Sequence, residues 1–171
     1  MKENDVRLDR FINSLSGRCA ALKDQINQGV GSWDSRARKA LANNLPNWFS
    51  QDFGITENRI KEFVCVEGWN KIPGERRGKP FLGTQIHPDA AIFIGHGGPS
   101  VAIELDHGAK GSQIRNALAK ASFAVTLGAF DKAVLLFFWE GNSLESFPED
   151  KESEGVRQMF YNNFHTVIFF V

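Results

Sequence analysis

The chain has 171 residues, 42% of them hydrophobic, and its 20 basic side chains balance 20 acidic ones. A chain of this length can bury roughly 70% of its unfolded surface around one core, so a single domain over 1–171 is expected, with a helical part at 1–55 and an α/β part at 56–171. Zero net charge excludes a broad basic field of the kind that makes nucleic-acid binding obvious, and the longest apolar run, Ala133 to Trp139, is far short of the ~20 residues that cross a bilayer.

The first element in chain order is a long amphipathic helix. Leu8, Phe11, Ile12, Leu15, Cys19, Leu22 and Ile26 recur at three- and four-residue spacing up to Gly29, which reads as a helix with a glycine stop. A second helix begins near Ser32 or Asp34, with Trp33, Ala37, Leu41 and Leu45 on one face. It is expected to break at Pro46, because proline disfavours helix at the residue before it. Trp48, Phe49 and Phe53 would then cap the core.

From Ile60 the period changes. Phe63 to Val66 and Ala90 to Ile94 are short apolar runs, and the second ends in the glycine-rich turn 95–98, a hairpin signal. Val101 to Asp106 alternates Val101, Ile103 and Leu105 with Ala102, Glu104 and Asp106, the period of a strand with one buried face and one wet or functional face. A helix opened by Gly111 and Ser112 carries Ile114, Leu118, Ala121 and Val125 inward and closes at Gly128. An apolar strand, Ala133 to Phe138, follows. A last helix with Val156, Met159, Phe160 and Phe164 leads into a terminal strand, Thr166 to Val171. This order predicts an α/β protein with a mixed central sheet flanked by helices. The charged N-terminus does not read as a secretion signal, and Cys19 and Cys65 sit in apolar patterns where cysteine acts as a small core residue. A reducing, cytoplasmic setting without a structural disulfide is expected.

Charge is unevenly spread. Residues 71–80 hold four bases and one acid, whereas 140–155 hold six acids and one base. Within the basic run, Lys71, Arg76, Arg77 and Lys79 are candidates for phosphate contact, and Arg115 on the following helix joins them.

The chemistry-bearing constellation lies at the hairpin. A turn at residues 95–100 brings Asp89 and Glu104 onto adjacent strands, where directly opposed side chains lie ~5 Å apart at Cβ. By strand parity His87 shares the face of Asp89, and Asp106 that of Glu104. Carboxylates so close repel unless a cation joins them, and hard oxygen donors favour Mg²⁺ or Mn²⁺ over zinc. His87, His96 and His107 match no compact zinc spacing.

Pro88-Asp89 on one strand, a short connection, Glu104 on the next with fourteen residues between the acids, and then a helix and an apolar strand together resemble the PD-(D/E)xK nuclease superfamily. The resemblance covers about residues 60–171 in element order and rests on a handful of letters. It implies a restriction-endonuclease-like core carrying N-terminal helices, and a metal-dependent endonuclease acting on double-stranded DNA in restriction or mobile-element defence. It also implies Asp89, Glu104 and Asp106 as metal ligands, and two copies of the chain where both strands are cut. At residue 106 the family's lysine is replaced by aspartate. The resemblance offers Asp106 itself, first of all, as the group acting on the attacking water, and Lys110 or Lys120 as a lysine supplied from the helix. Gln113 resembles the helix glutamine that several nuclease families place beside the site, while their tyrosine four residues later is Ala117 here. Glu57, Glu62 and Asp34 stand where the family often has a glutamate on a preceding helix. The alternative is a nuclease-fold protein that has lost chemistry at residue 106 and binds nucleic acid or a protein partner.

Overall fold

The structure is a computed structural model, and it describes residues 2–72, 87–95, 98–127, 130–140 and 151–171. Two N-terminal helices, α1 (Lys2–Gln28) and α2 (Trp33–Phe53), precede a 3-10 turn at Glu57–Glu62. Then come β1 (Val64–Val66), β2 (Ala90–Phe93), β3 (Ser100–Gly108), α3 (Gly111–Thr126), β4 (Lys132–Trp139), α4 (Lys151–Phe164) and β5 (Thr166–Phe170). The strands form one five-stranded mixed sheet in the order β1-β2-β3-β4-β5. β1, β2 and β3 are antiparallel neighbours, and β3, β4 and β5 are parallel ones.

The element order matches the sequence expectation, but two details differ. α2 runs through Pro46 to Phe53. Proline removes one intrahelical hydrogen bond, yet Leu41, Leu45, Pro46 and Phe49 are all buried along the same helix, so packing outweighs the lost bond. Trp48, Phe49 and Phe53 therefore belong to the helix instead of following a break. Ser32 caps the start, its Oγ accepting from Ser35 N, and Gly54 ends the helix at φ +65°, a left-handed conformation that glycine adopts without penalty.

The second correction concerns β3. Its alternating face was expected to be wet or functional, and it is not wet, because both faces are covered. Val101, Ile103 and Leu105 pack into the core made with α1 and α2, together with Val134, Leu136 and Phe138 of β4. Ala102, with Ala133, Leu135 and Phe137, faces a second core made with α3. The inner residues of α3 include Ala117, Ala121 and Ala124 beside Ile114 and Leu118, and small side chains allow the helix to approach the sheet closely. Strands covered on both faces read as continuous apolar runs, as β4 does.

The start of β3 is tied to the loop before β4. Asp131 accepts from both the amide and the hydroxyl of Ser100, at 2.8 and 2.9 Å. Cys19 and Cys65 are free and buried, and burial pushes the Cys19 thiol up to about 12. Among the described residues no helix is long and apolar enough to cross a membrane. Leu41 is fully buried between α2 and the first core, so Leu41→Ala is expected to lower unfolding free energy by about 2–5 kcal/mol, measured by urea titration.

Candidate active site

The β2–β3 register places the two acids. Ala90 pairs with Ile103, and one step further along the same ladder Asp89 stands opposite Glu104. Both are buried, at 5% and 1% exposure. Asp89 is fixed from two sides: its Oδ2 accepts from the Leu105 amide at 2.8 Å, and its Oδ1 accepts from Arg38 Nε at 2.9 Å. Arg38 comes from α2 and also reaches Glu67, just past β1, with Nη1 3.1 Å from Oε2. The Glu67 amide in turn donates to the Asp89 carbonyl.

Glu104 lies beside Asp89 and is also met by α3. Lys120 Nζ lies 2.7 Å from Glu104 Oε2 as an ion pair, while Glu104 Oε1 is buried with no hydrogen-bond donor among the described residues. Burial foremost, and then the charge of Asp89, push the Glu104 carboxyl up from 4.5 to about 8, against the opposing pull of Lys120. Burial works against the Lys120 charge, yet Glu104 first, with Asp89 and Asp106 behind it, outweighs burial and holds the ammonium above the ordinary lysine range. Burial and Asp89 thus favour the protonated form of Glu104, and the neighbouring carboxylates favour the charged form of Lys120.

The remaining sequence candidates are distributed around this pair. Asp106 is half-buried, and its Oδ1 accepts from the His107 amide at 2.7 Å. It does not complete a three-ligand group: among the described residues no set of three or more His, Cys, Asp and Glu side chains could hold one metal ion. Lys110 is exposed and precedes α3 as its N-cap residue. Gln113 is occupied in closing the start of that helix, its Oε1 accepting from the amides of Ala109 and Lys110 at 3.1 and 3.0 Å. Gly108 permits this, since a Cβ there would come within 2.5 Å of Gln113 Oε1. Arg115 is exposed on α3.

His87 and Lys71 are exposed and line a cavity of about 290 Å³ together with Glu67, whereas Arg76, Arg77, Lys79 and His96 lie outside the described residues. His107 gives Nδ1 to Glu140 at 2.9 Å and stacks on Trp33 at 4.1 Å between ring centroids. Of the acids considered for the preceding helix, Glu62 pairs with Arg59, Glu57 lines a separate hollow with Asn43, Asn47 and Lys61, and Asp34 is exposed in the first turn of α2. Sequence reasoning missed Arg38 and Glu67, the two groups that complete the surroundings of Asp89. Arg38 lies one helical turn after Asp34, on the turn next to buried Ala37 and Leu41, and that position was the available signal.

The residues present fit a hard divalent cation. Mg²⁺ is commonly bound by one or two carboxylates plus water and substrate phosphate, without a dedicated protein cage. Asp89 and Glu104 supply two carboxylates, and Glu104 Oε1 has unused acceptor capacity. Comparison with protein-family models, with curated proteins and with solved structures finds no match to this chain.

A carboxyl whose folded-state pKa exceeds its unfolded value binds protons more tightly when folded, so its contribution to stability is complete below about 4.5 and is lost as pH rises through about 8. Asp89→Asn removes a cause of the elevation and Lys120→Met removes an opposing charge. In metal-free buffer the Glu104 carboxyl is therefore expected to titrate lower in the first variant and higher in the second, as followed by carbon-13 NMR, and stability should fall less steeply between pH 5 and 8 in Asp89→Asn.

Proposed function

We propose that the chain is a metal-dependent phosphodiesterase acting on nucleic acid, a DNA endonuclease with a restriction-endonuclease-like core. The observation that carries this reading is the opposed, buried pair Asp89 and Glu104 with the Lys120 ammonium held against Glu104. The antiparallel β1-β2-β3 unit followed by parallel β4 and β5, with the acids at the start of β2 and on β3, supports the fold half of the reading.

Bound between the two acids, Mg²⁺ or Mn²⁺ would supply Lewis-acid charge to the phosphoryl oxygen and lower the pKa of a water. The chain's own groups then have separate tasks. Asp89 is oriented by the Leu105 amide and Arg38. Lys120, brought by α3 from sixteen residues downstream, takes the place of the family's lysine in this reading. Because it stays protonated, it stabilises negative charge developing on the phosphoryl group and orients the attacking water, and it does not abstract the proton. Asp106 keeps a secondary part, since one of its oxygens is already engaged with the His107 amide. Cutting both strands of a duplex calls for two such sites, hence for a homodimer.

Relaxation of supercoiled plasmid tests the reading. Cleavage is expected with Mg²⁺ or Mn²⁺ and none with EDTA. Asp89→Asn and Glu104→Gln should abolish it, Lys120→Met should lower turnover by about 10²- to 10³-fold, and Asp106→Asn should lower it much less. Asp106 at the lysine position favours the second reading, a fold that binds without chemistry. Salt-dependent retention of DNA with no cation-dependent nicking would establish that instead.

A further inference from the structure

Arg38 is the cation nearest Asp89, and it is held more firmly than a surface arginine. Its Nε is 2.9 Å from Asp89 Oδ1 and its Nη1 3.1 Å from Glu67 Oε2, so two carboxylates from different strand ends fix one guanidinium plane. A third of the side chain is exposed, and Nη2 has no partner among the described residues. A guanidinium has five donors in a fixed fork, suited to phosphate oxygens. With one edge committed to Asp89 and part of the other to Glu67, the remaining donors are aimed by the protein and still open. The Leu105 amide still holds the other Asp89 oxygen when Arg38 turns to a phosphate.

We propose that Arg38 is a substrate-binding residue that donates to a nucleic-acid phosphate beside Asp89, and that it competes with the divalent cation for Asp89 until substrate draws it away. This deepens the nuclease reading and rests on it. Removing the arginine therefore has two effects of opposite sign. The protein loses a phosphate contact, and Asp89 loses a positive neighbour that repels an incoming cation. A merely structural arginine would not separate the two, since disorder at Asp89 weakens both ligands.

The experiment uses the full chain and two binding measurements that require no turnover. Fluorescence anisotropy in EDTA, over a series of salt concentrations, gives affinity for a labelled duplex oligonucleotide. Calorimetry without DNA gives affinity for Mn²⁺. In Arg38→Ala, duplex binding is expected to weaken about tenfold, with a salt slope smaller by about one, while Mn²⁺ binding tightens several-fold. Arg59→Ala, which removes an exposed charge paired with Glu62, serves as the control for loss of one charge. Arg38→Gln is read by the same criteria if circular dichroism finds the alanine variant unfolded. Duplex affinity and slope no different from the control would overturn the proposal even if wild-type protein nicks plasmid, and so would Mn²⁺ binding that weakens together with DNA binding. Wild-type protein that neither binds duplex nor nicks plasmid would overturn the nuclease reading and this proposal with it.

Discussion

Two carboxylates buried side by side are unfavourable, and the surroundings of Asp89 and Glu104 are arranged around that repulsion. The sheet register sets the acids opposite each other, and helices cover both faces of the strand that carries Glu104. Desolvation then acts on both acids, and the fold answers with one cation from each side. Arg38 arrives from α2 to Asp89, and Lys120 arrives from α3 to Glu104. The two cations offset the charge unequally. Asp89 has two hydrogen-bond donors, while Glu104 has one ion-pair contact and a second oxygen without a donor, and it is driven towards its neutral form. A cation that bound there would have to displace this proton, which makes its binding depend on pH.

This asymmetry gives the helices a role beyond packing. α3 is rich in alanine where it meets the sheet, which brings it near enough for Lys120 to reach Glu104. α2 continues past Pro46 as one rigid element anchored by Leu41, Leu45 and Phe49, and Arg38 lies one turn before Leu41 on that anchored stretch. The core thus positions the charged groups on both sides of the acid pair, and a change in either helix's packing would be felt at the site.

Much of the architecture was legible because it is written in local periods. The three-and-four spacing of α1, the alternation of β3 and the glycines between β2 and β3 each specify an element from its own residues. The acid pair followed from the same hairpin signal. What was not legible depends on long-range contact. Nothing within β3 tells whether its Glu104 face meets water or a helix, and the small residues of α3 decide that. Proline rules weigh one backbone hydrogen bond at Pro46, while the burial of Leu45 and Phe49 against other elements outweighs it. Arg38 meets Asp89 across 51 residues of sequence, a separation that no motif spacing encodes. Lys120 and Gln113 were both considered as helix groups beside the acids. The structure sets Lys120 against Glu104 and uses Gln113 as a loop clasp.

The central claim is that Asp89 and Glu104 together hold a divalent cation. Anomalous scattering from a crystal soaked in Mn²⁺ tests it most directly. The account predicts one peak coordinated by a carboxylate oxygen from each residue, with Lys120 Nζ displaced from Glu104 Oε2 or sharing the carboxylate. A crystal that takes up Mn²⁺ elsewhere on the chain and leaves the Glu104–Lys120 contact intact would contradict it.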